Sequence, residues 1–150
     1  MSTLVLDAEA LLPPDSQLAR TAGEAPVVVM ARQGADARRI ATLEGSGVEV
    51  VQLPADGVRL DLGALLDALG RRGVTSILAE GGATLAASLL KGRLVDELVL
   101  FYAPRLLADP EAPTFAADMG IRKLPDALGF DVVSVERSGS DVCIVLQPRS

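Results

Sequence analysis

The run SILAEGGATLAASLLKGRLVDELVLFYAPRLL, residues 76–107, decides how this chain is read. It opens with apolar residues that end in a single acid, Glu80, and passes through Gly81 and Gly82. Small residues and leucines then follow at helical spacing, before a second apolar run that ends at Ala103 and Pro104. The succession predicts strand, tight turn, helix, strand, the repeating unit of a parallel α/β sheet. The first N–H groups of a helix have no partner within it. Glycines ahead of them let an anion come close, because no Cβ stands in the way. Gly81, Gly82 and the Thr84 hydroxyl are therefore candidates to cradle a diphosphate, with Thr84 equally readable as a plain helix cap. Glu80 would repel phosphate inside that cradle. Strand alternation turns it away from its neighbours, towards a compartment where it can accept hydrogen bonds from the N–H groups of a substrate. A solvated acid at a strand end is the simpler alternative.

Working outward, the alternation continues. Upstream, TLVLDA reads as a short strand followed by the loop LLPPDSQ, and APVVVMAR as a buried parallel strand bounded by Pro26 and Gly34. ADARRIATLEGSG predicts a helix stopped by Gly45 and Gly47. VEVVQLP is the next strand, DLGALLDALGRRGV a helix with Leu62, Leu65, Leu66 and Leu69 on one face, and VTSILAE, residues 74–80, the strand leading into the glycine turn. Downstream, VDELVLFYAP is a strand and DPEAPTFAADMGI an irregular excursion. FDVVSVERSGSDVCIVLQP reads as two strands around a Ser-Gly-Ser turn. The expected architecture is a single domain over residues 1–150, with a mostly parallel sheet covered on both faces and an antiparallel C-terminal hairpin.

Composition narrows the function. The chain has 150 residues, a formal net charge of −6 and no histidine. The acidic balance disfavours nucleic acid as a partner. Without imidazole there is no His-based triad or zinc site, and no metal is expected. Cys143, the single cysteine, reads as a buried strand residue, which leaves no disulfide within one chain. No apolar run reaches the ~18 residues of a membrane span, and STLVLDAEALLPP lacks the basic start of a secretory signal. A cytoplasmic protein is the expectation. Asp96 and Glu97 read as turn residues, and Tyr102 as a strand or subunit contact beside Phe101.

The E-G-G turn, the T-L-A helix start, the L-V-D-E-L spacing and the strand ending in A-P together resemble the C-terminal reductase domain of the bifunctional riboflavin-biosynthesis deaminase/reductase. LVLDAEALLPPDSQLA, residues 4–19, is similar to the same family's V-L-D-S-R-L-R-L-P-x-D-S-x-L segment. The resemblance implies a dihydrofolate reductase-like three-layer sandwich that starts downstream of the family's N-terminal strand and helix. It also implies an NADPH-dependent pyrimidine reductase that converts the ribosyl group of 5-amino-6-(5-phosphoribosylamino)uracil to a ribityl chain, working as a homodimer through its late strands. The alternative is a shortened, catalytically weak or inactive remnant that serves as a dimerising or nucleotide-binding module.

By the same resemblance Glu80 contacts substrate, and Gly81, Gly82, Ala83, Thr84, Leu85, Ala86, Ala87 and Ser88 line the cofactor phosphates. No catalytic side chain is assigned, since hydride transfer needs chiefly orientation and exclusion of water. Where the family often has Ser-Arg after V-L-D, this chain has Ala8 and Glu9, which puts an anion near the expected place of the cofactor's 2′-phosphate. Arg32, at the end of VVVMAR, is the residue placed to compensate. A solvated basic face shared with Arg38 and Arg39 is its simpler reading.

Overall fold

The computed structural model describes residues 2–109 and 111–149, so Pro110 of the expected excursion lies outside the described residues. The backbone forms two compact units, one ending at Ile77 and one beginning at Leu78.

The first unit is organised by its central strand. β1 (Thr3–Leu6), β2 (Val27–Arg32) and β3 (Glu49–Leu53) form a parallel sheet in that order. The register pairs Leu6 with Met30 and Arg32 with Leu53. Five consecutive residues of β2, Val27 to Ala31, are buried, as a strand covered on both faces requires. Its alternation divides two cores. Val27, Val29 and Ala31 pack with Ala19 of α1 (Gln17–Arg20), with Leu43 of α2 (Ala37–Gly45) and with Val48. Val28 and Met30 pack on the other face with Leu53 and with Leu65 and Leu69 of α3 (Leu62–Arg71). Helices thus flank the sheet on both sides, the three-layer arrangement expected from the sequence.

The helix starts are fixed by side-chain caps. Asp36 accepts from the Arg38 N–H at 2.7 Å, and Asp61 accepts from the Ala64 N–H at 2.9 Å. A two-residue hairpin, β4 (Ala55–Asp56) with β5 (Arg59–Leu60), interrupts the path from β3 to α3. Gly57 at its tip has φ +60°, a conformation in which glycine carries no Cβ penalty.

The second unit holds α4 (Ala83–Lys91) and an antiparallel sheet of β6 (Leu98–Tyr102), β7 (Phe130–Ser138) and β8 (Asp141–Pro148), ordered β6-β8-β7. The β7–β8 hairpin turns at Gly139, φ +64°, and a bulge lies between Val132 and Ser134. A single 3-10 turn, Leu124–Asp126, precedes β7.

Three expectations change. Residues 74–80 form no strand. A β-branched apolar run makes a strand only when its N–H and C=O groups find a ladder, and no described strand pairs with this one; its residues are exposed throughout. The parallel sheet β1-β2-β3 and the antiparallel sheet β6-β8-β7 are separate sheets, the first in the first unit and the second in the second, with the small antiparallel β4–β5 hairpin also in the first. Cys143 is half-buried, because it lies on a central strand whose sheet carries much exposed apolar surface.

Candidate functional site

The expected site residues fall in two places, one in each unit. In the second unit, Gly82 is the N-cap of α4, with φ −72° and ψ 175° and no side-chain cap bond. Its carbonyl accepts from the Leu85 and Ala86 N–H groups at 3.1 Å. The N–H groups of Ala83 and Thr84 have no acceptor among the described residues, and at a helix start these are the donors that meet an anion.

The two glycines serve different ends. A Cβ on Gly81 would meet Leu85 Cδ2 at 2.5 Å and Leu85 Cβ at 3.0 Å, so a larger residue there must displace the Leu85 side chain. A Cβ on Gly82 would meet nothing within 4 Å. Neither packing nor φ requires glycine at 82, and the space where its Cβ would stand is open. The residues present therefore fit a diphosphate.

Further along α4 the residues turn to structural roles. Thr84 is exposed and is not the cap. Ala87 is buried, and the Ser88 hydroxyl donates to the Thr84 carbonyl at 2.8 Å. Ser88 stands one turn beyond the free amides, roughly 6 Å along the axis. Leu85 packs on Gly81, and Ala86 is half-buried. Glu80 is exposed and has no hydrogen-bond partner among the described residues.

In the first unit the carboxyl edge of the parallel sheet forms a cleft of about 370 Å³, lined by Glu9, Arg32, Gln33, Ala55, Gly57 and Val58. Ala8 and Glu9 follow β1, and the Arg32 N–H donates to the Ala8 carbonyl at 2.9 Å, extending the β1–β2 ladder by one bond. That bond brings together residues 23 apart in sequence: Arg32 Nε donates to Glu9 Oε1 at 2.5 Å, and Arg32 Nη2 donates to Glu9 Oε2 at 3.2 Å. Arg39 Nη1 donates to the Glu9 carbonyl at 3.3 Å. The Arg32 hydrogen bond holds the Glu9 carboxyl below its usual range. Desolvation opposes this, and the charges of Arg32 and Arg39 reinforce it. Arg32 is raised in turn, first by the same bond.

The loop is preorganised. Asp7 Oδ2 accepts from the Leu12 N–H at 2.7 Å, and Ala10, buried in the core, is held at φ +52°, a conformation that a non-glycine residue keeps only when its surroundings impose it. Sequence reasoning had placed Glu9 and Arg32 as opposing influences and missed their pairing. It also missed the hairpin that supplies Ala55, Gly57 and Val58, although the Asp56-Gly57 pair was a turn signal in plain view.

A parallel sheet with helices on both faces and polar groups at its carboxyl edge, followed by an uncapped glycine helix start and an antiparallel sheet, defines an α/β protein of the dihydrofolate reductase-like class. The chain belongs to the RibD C-terminal domain family, whose model matches residues 1–144. It is 32% identical over 141 residues to a riboflavin biosynthesis protein RibD from Actinobacillus pleuropneumoniae, covering 94% of this chain and 37% of that protein. It is likewise 32% identical over 141 residues to the 2,5-diamino-6-ribosylamino-4(3H)-pyrimidinone 5′-phosphate reductase of Methanothermobacter thermautotrophicus, covering 94% of this chain and 63% of the relative. Among solved structures, Acinetobacter baumannii RibD superposes with a TM-score of 0.79 at 25% identity, over 97% of this chain and 37% of that one. The chain thus spans less than two thirds of the length of each of these relatives.

Proposed function

We propose that this chain is a nicotinamide-dependent pyrimidine reductase of riboflavin biosynthesis, converting the ribosyl group of 5-amino-6-(5-phosphoribosylamino)uracil to a ribityl chain. NADPH is the cofactor form the resemblance implies. The relatives named as reductases of a ribosylamino-pyrimidinone phosphate support the substrate class. The observation that carries the reading is the bare start of α4, where the Ala83 and Thr84 amides have no acceptor among the described residues and Gly82 brings no side chain. The family match runs across both units, in keeping with one reductase domain.

In this reading the backbone N–H groups of Gly82, Ala83 and Thr84 hold the cofactor diphosphate, aided by the positive end of the helix dipole. When bound, the cofactor supplies the hydride. Glu80 accepts hydrogen bonds from the pyrimidine N–H groups and orients the sugar carbon that is reduced, a positioning role that needs no histidine. The protein works in the cytoplasm as a homodimer through its antiparallel sheet, a reading supported by the exposure of Phe101, Tyr102, Val132, Val133, Val135 and Val142. Mixing the chain with NADPH and 5-amino-6-(5-phosphoribosylamino)uracil should give substrate-dependent loss of reduced-nicotinamide absorbance. Saturable cofactor binding with no turnover under any condition would refute the reductase reading.

A further inference from the structure

We propose that Ala117 is a positioning residue for the cofactor diphosphate: its backbone N–H holds and polarises the peptide unit that presents the Thr84 amide, and so couples the stretch 114–122 to ligand binding at α4. The inference rests on the reading of the α4 start as the diphosphate site.

Each amide offered at that start is one end of a peptide unit, and what the carbonyl at the other end accepts decides how strongly the amide donates. The Ala83 N–H shares its unit with the Gly82 carbonyl, which accepts from the Leu85 and Ala86 N–H groups, both at 3.1 Å. That polarisation comes from the first turn of the helix itself. The Thr84 N–H shares its unit with the Ala83 carbonyl. A carbonyl at the first helical position ordinarily accepts from the residue four further on, and its second lone pair is then open. Ala117 takes it, donating its N–H to the Ala83 carbonyl at 2.9 Å. Hydrogen bonds in series through one peptide unit strengthen each other. A phosphate oxygen that accepts from Thr84 and the Ala117 bond on the far side of the same unit therefore reinforce one another.

The stretch that carries Ala117 keeps its own shape. Thr114 Oγ1 donates to the Ala116 carbonyl at 2.6 Å, and Asp118 Oδ1 accepts from the Gly120 N–H at 2.7 Å. Arg122 donates to both oxygens of Asp118 and matches its charge. Among the described residues, the Ala117 N–H makes the one backbone bond between this stretch and α4, and it falls on the peptide unit of a free amide. The link is made by the main chain alone, so proline, which has no N–H, removes it and glycine keeps it.

The test compares the parent with Ala117→Pro and Ala117→Gly. In the ligand-free protein the backbone nitrogen and proton signals of Thr84 should move upfield in Ala117→Pro, while those of Ala83 stay in place. Ala117→Gly should leave both as in the parent. In calorimetric titration Ala117→Pro should bind NADPH about threefold more weakly, the scale of a modest loss of cooperativity in one charged hydrogen bond, and Ala117→Gly should bind it as the parent does. In turnover the proline variant should raise the KM for NADPH by the same factor and leave kcat and the KM for the pyrimidine unchanged. Coupling is reciprocal, so saturating NADPH should slow hydrogen exchange at the Ala117 amide of the parent about threefold, a measurement that needs no variant. Equal movement of the Ala83 and Thr84 signals would mark a merely structural role and overturn the proposal. Unaltered NADPH affinity in Ala117→Pro, or exchange at Ala117 that ignores bound NADPH, would overturn it too and leave the reductase reading standing. A parent that binds no NADPH would overturn both.

Discussion

Replacing Gly82 by alanine separates ligand binding from folding more cleanly than any other change in this chain. At φ −72° and ψ 175° the backbone suits any residue, and an added Cβ would find nothing within 4 Å. Two small terms then oppose each other. Alanine is a poorer N-cap than glycine by about 0.5 to 1 kcal/mol, while a less flexible unfolded chain returns about 0.4 to 1 kcal/mol. Stability should therefore stay within about 0.5 kcal/mol of the parent. Binding should not, because in the proposed site a phosphate lies against the Gly82 backbone, where an added methyl group stands in its way. Losing one amide bond to a charged oxygen costs about 1.5 to 3 kcal/mol, which is roughly 10- to 150-fold in affinity for a dinucleotide. Gly81→Ala provides the contrast. Its Cβ would press on Leu85 and push that side chain off its rotamer, at a cost of about 1 kcal/mol in stability. Urea denaturation and calorimetric titration of the two variants side by side make the measurement. A Gly82→Ala variant that binds dinucleotide as the parent does would refute the assignment of this turn.

Other outcomes follow from the same structure. Glu80→Gln should leave the melting temperature and cofactor affinity unchanged, since the parent carboxylate has no partner among the described residues, yet lower turnover of the pyrimidine by at least ~10-fold through one lost charged hydrogen bond; an unchanged rate would remove Glu80 from the substrate site. Met30→Ala, at a fully buried position of β2, should cost about 2 to 5 kcal/mol in urea denaturation. The carboxyls of Glu9, Glu49 and Asp118 are each held low by a hydrogen bond from an arginine, Arg32, Arg72 and Arg122 in turn. Groups of depressed pKa contribute stability above their unfolded values and lose it as pH falls through the folded ones. The melting temperature should thus be flat from about pH 8 to 5 and fall only below about pH 4, with the fall reduced by about 0.5 M salt.

What the sequence made legible was local. The valine run of β2 declared a strand buried on both faces, and Gly45 and Gly47 marked the end of α2 without help from tertiary contacts. The run from Val74 to Glu80 shows the limit, since its composition is that of a strand but pairing is a long-range property that composition does not encode. Glu9 and Arg32 show the same limit at the site. Each was visible as a charge, but only the β1–β2 register, with Leu6 opposite Met30, sets them against each other. Gly81 and Gly82 looked equivalent in the sequence, and only the position of Leu85 distinguishes a packing glycine from one that leaves room for a ligand.

The most direct measurement is an NMR titration of the isotope-labelled chain with a nicotinamide dinucleotide, following its backbone amides. The account predicts that the Gly82, Ala83 and Thr84 signals move first and furthest, and saturate with the calorimetric affinity. Binding that saturates while those three amides stay in place would contradict it.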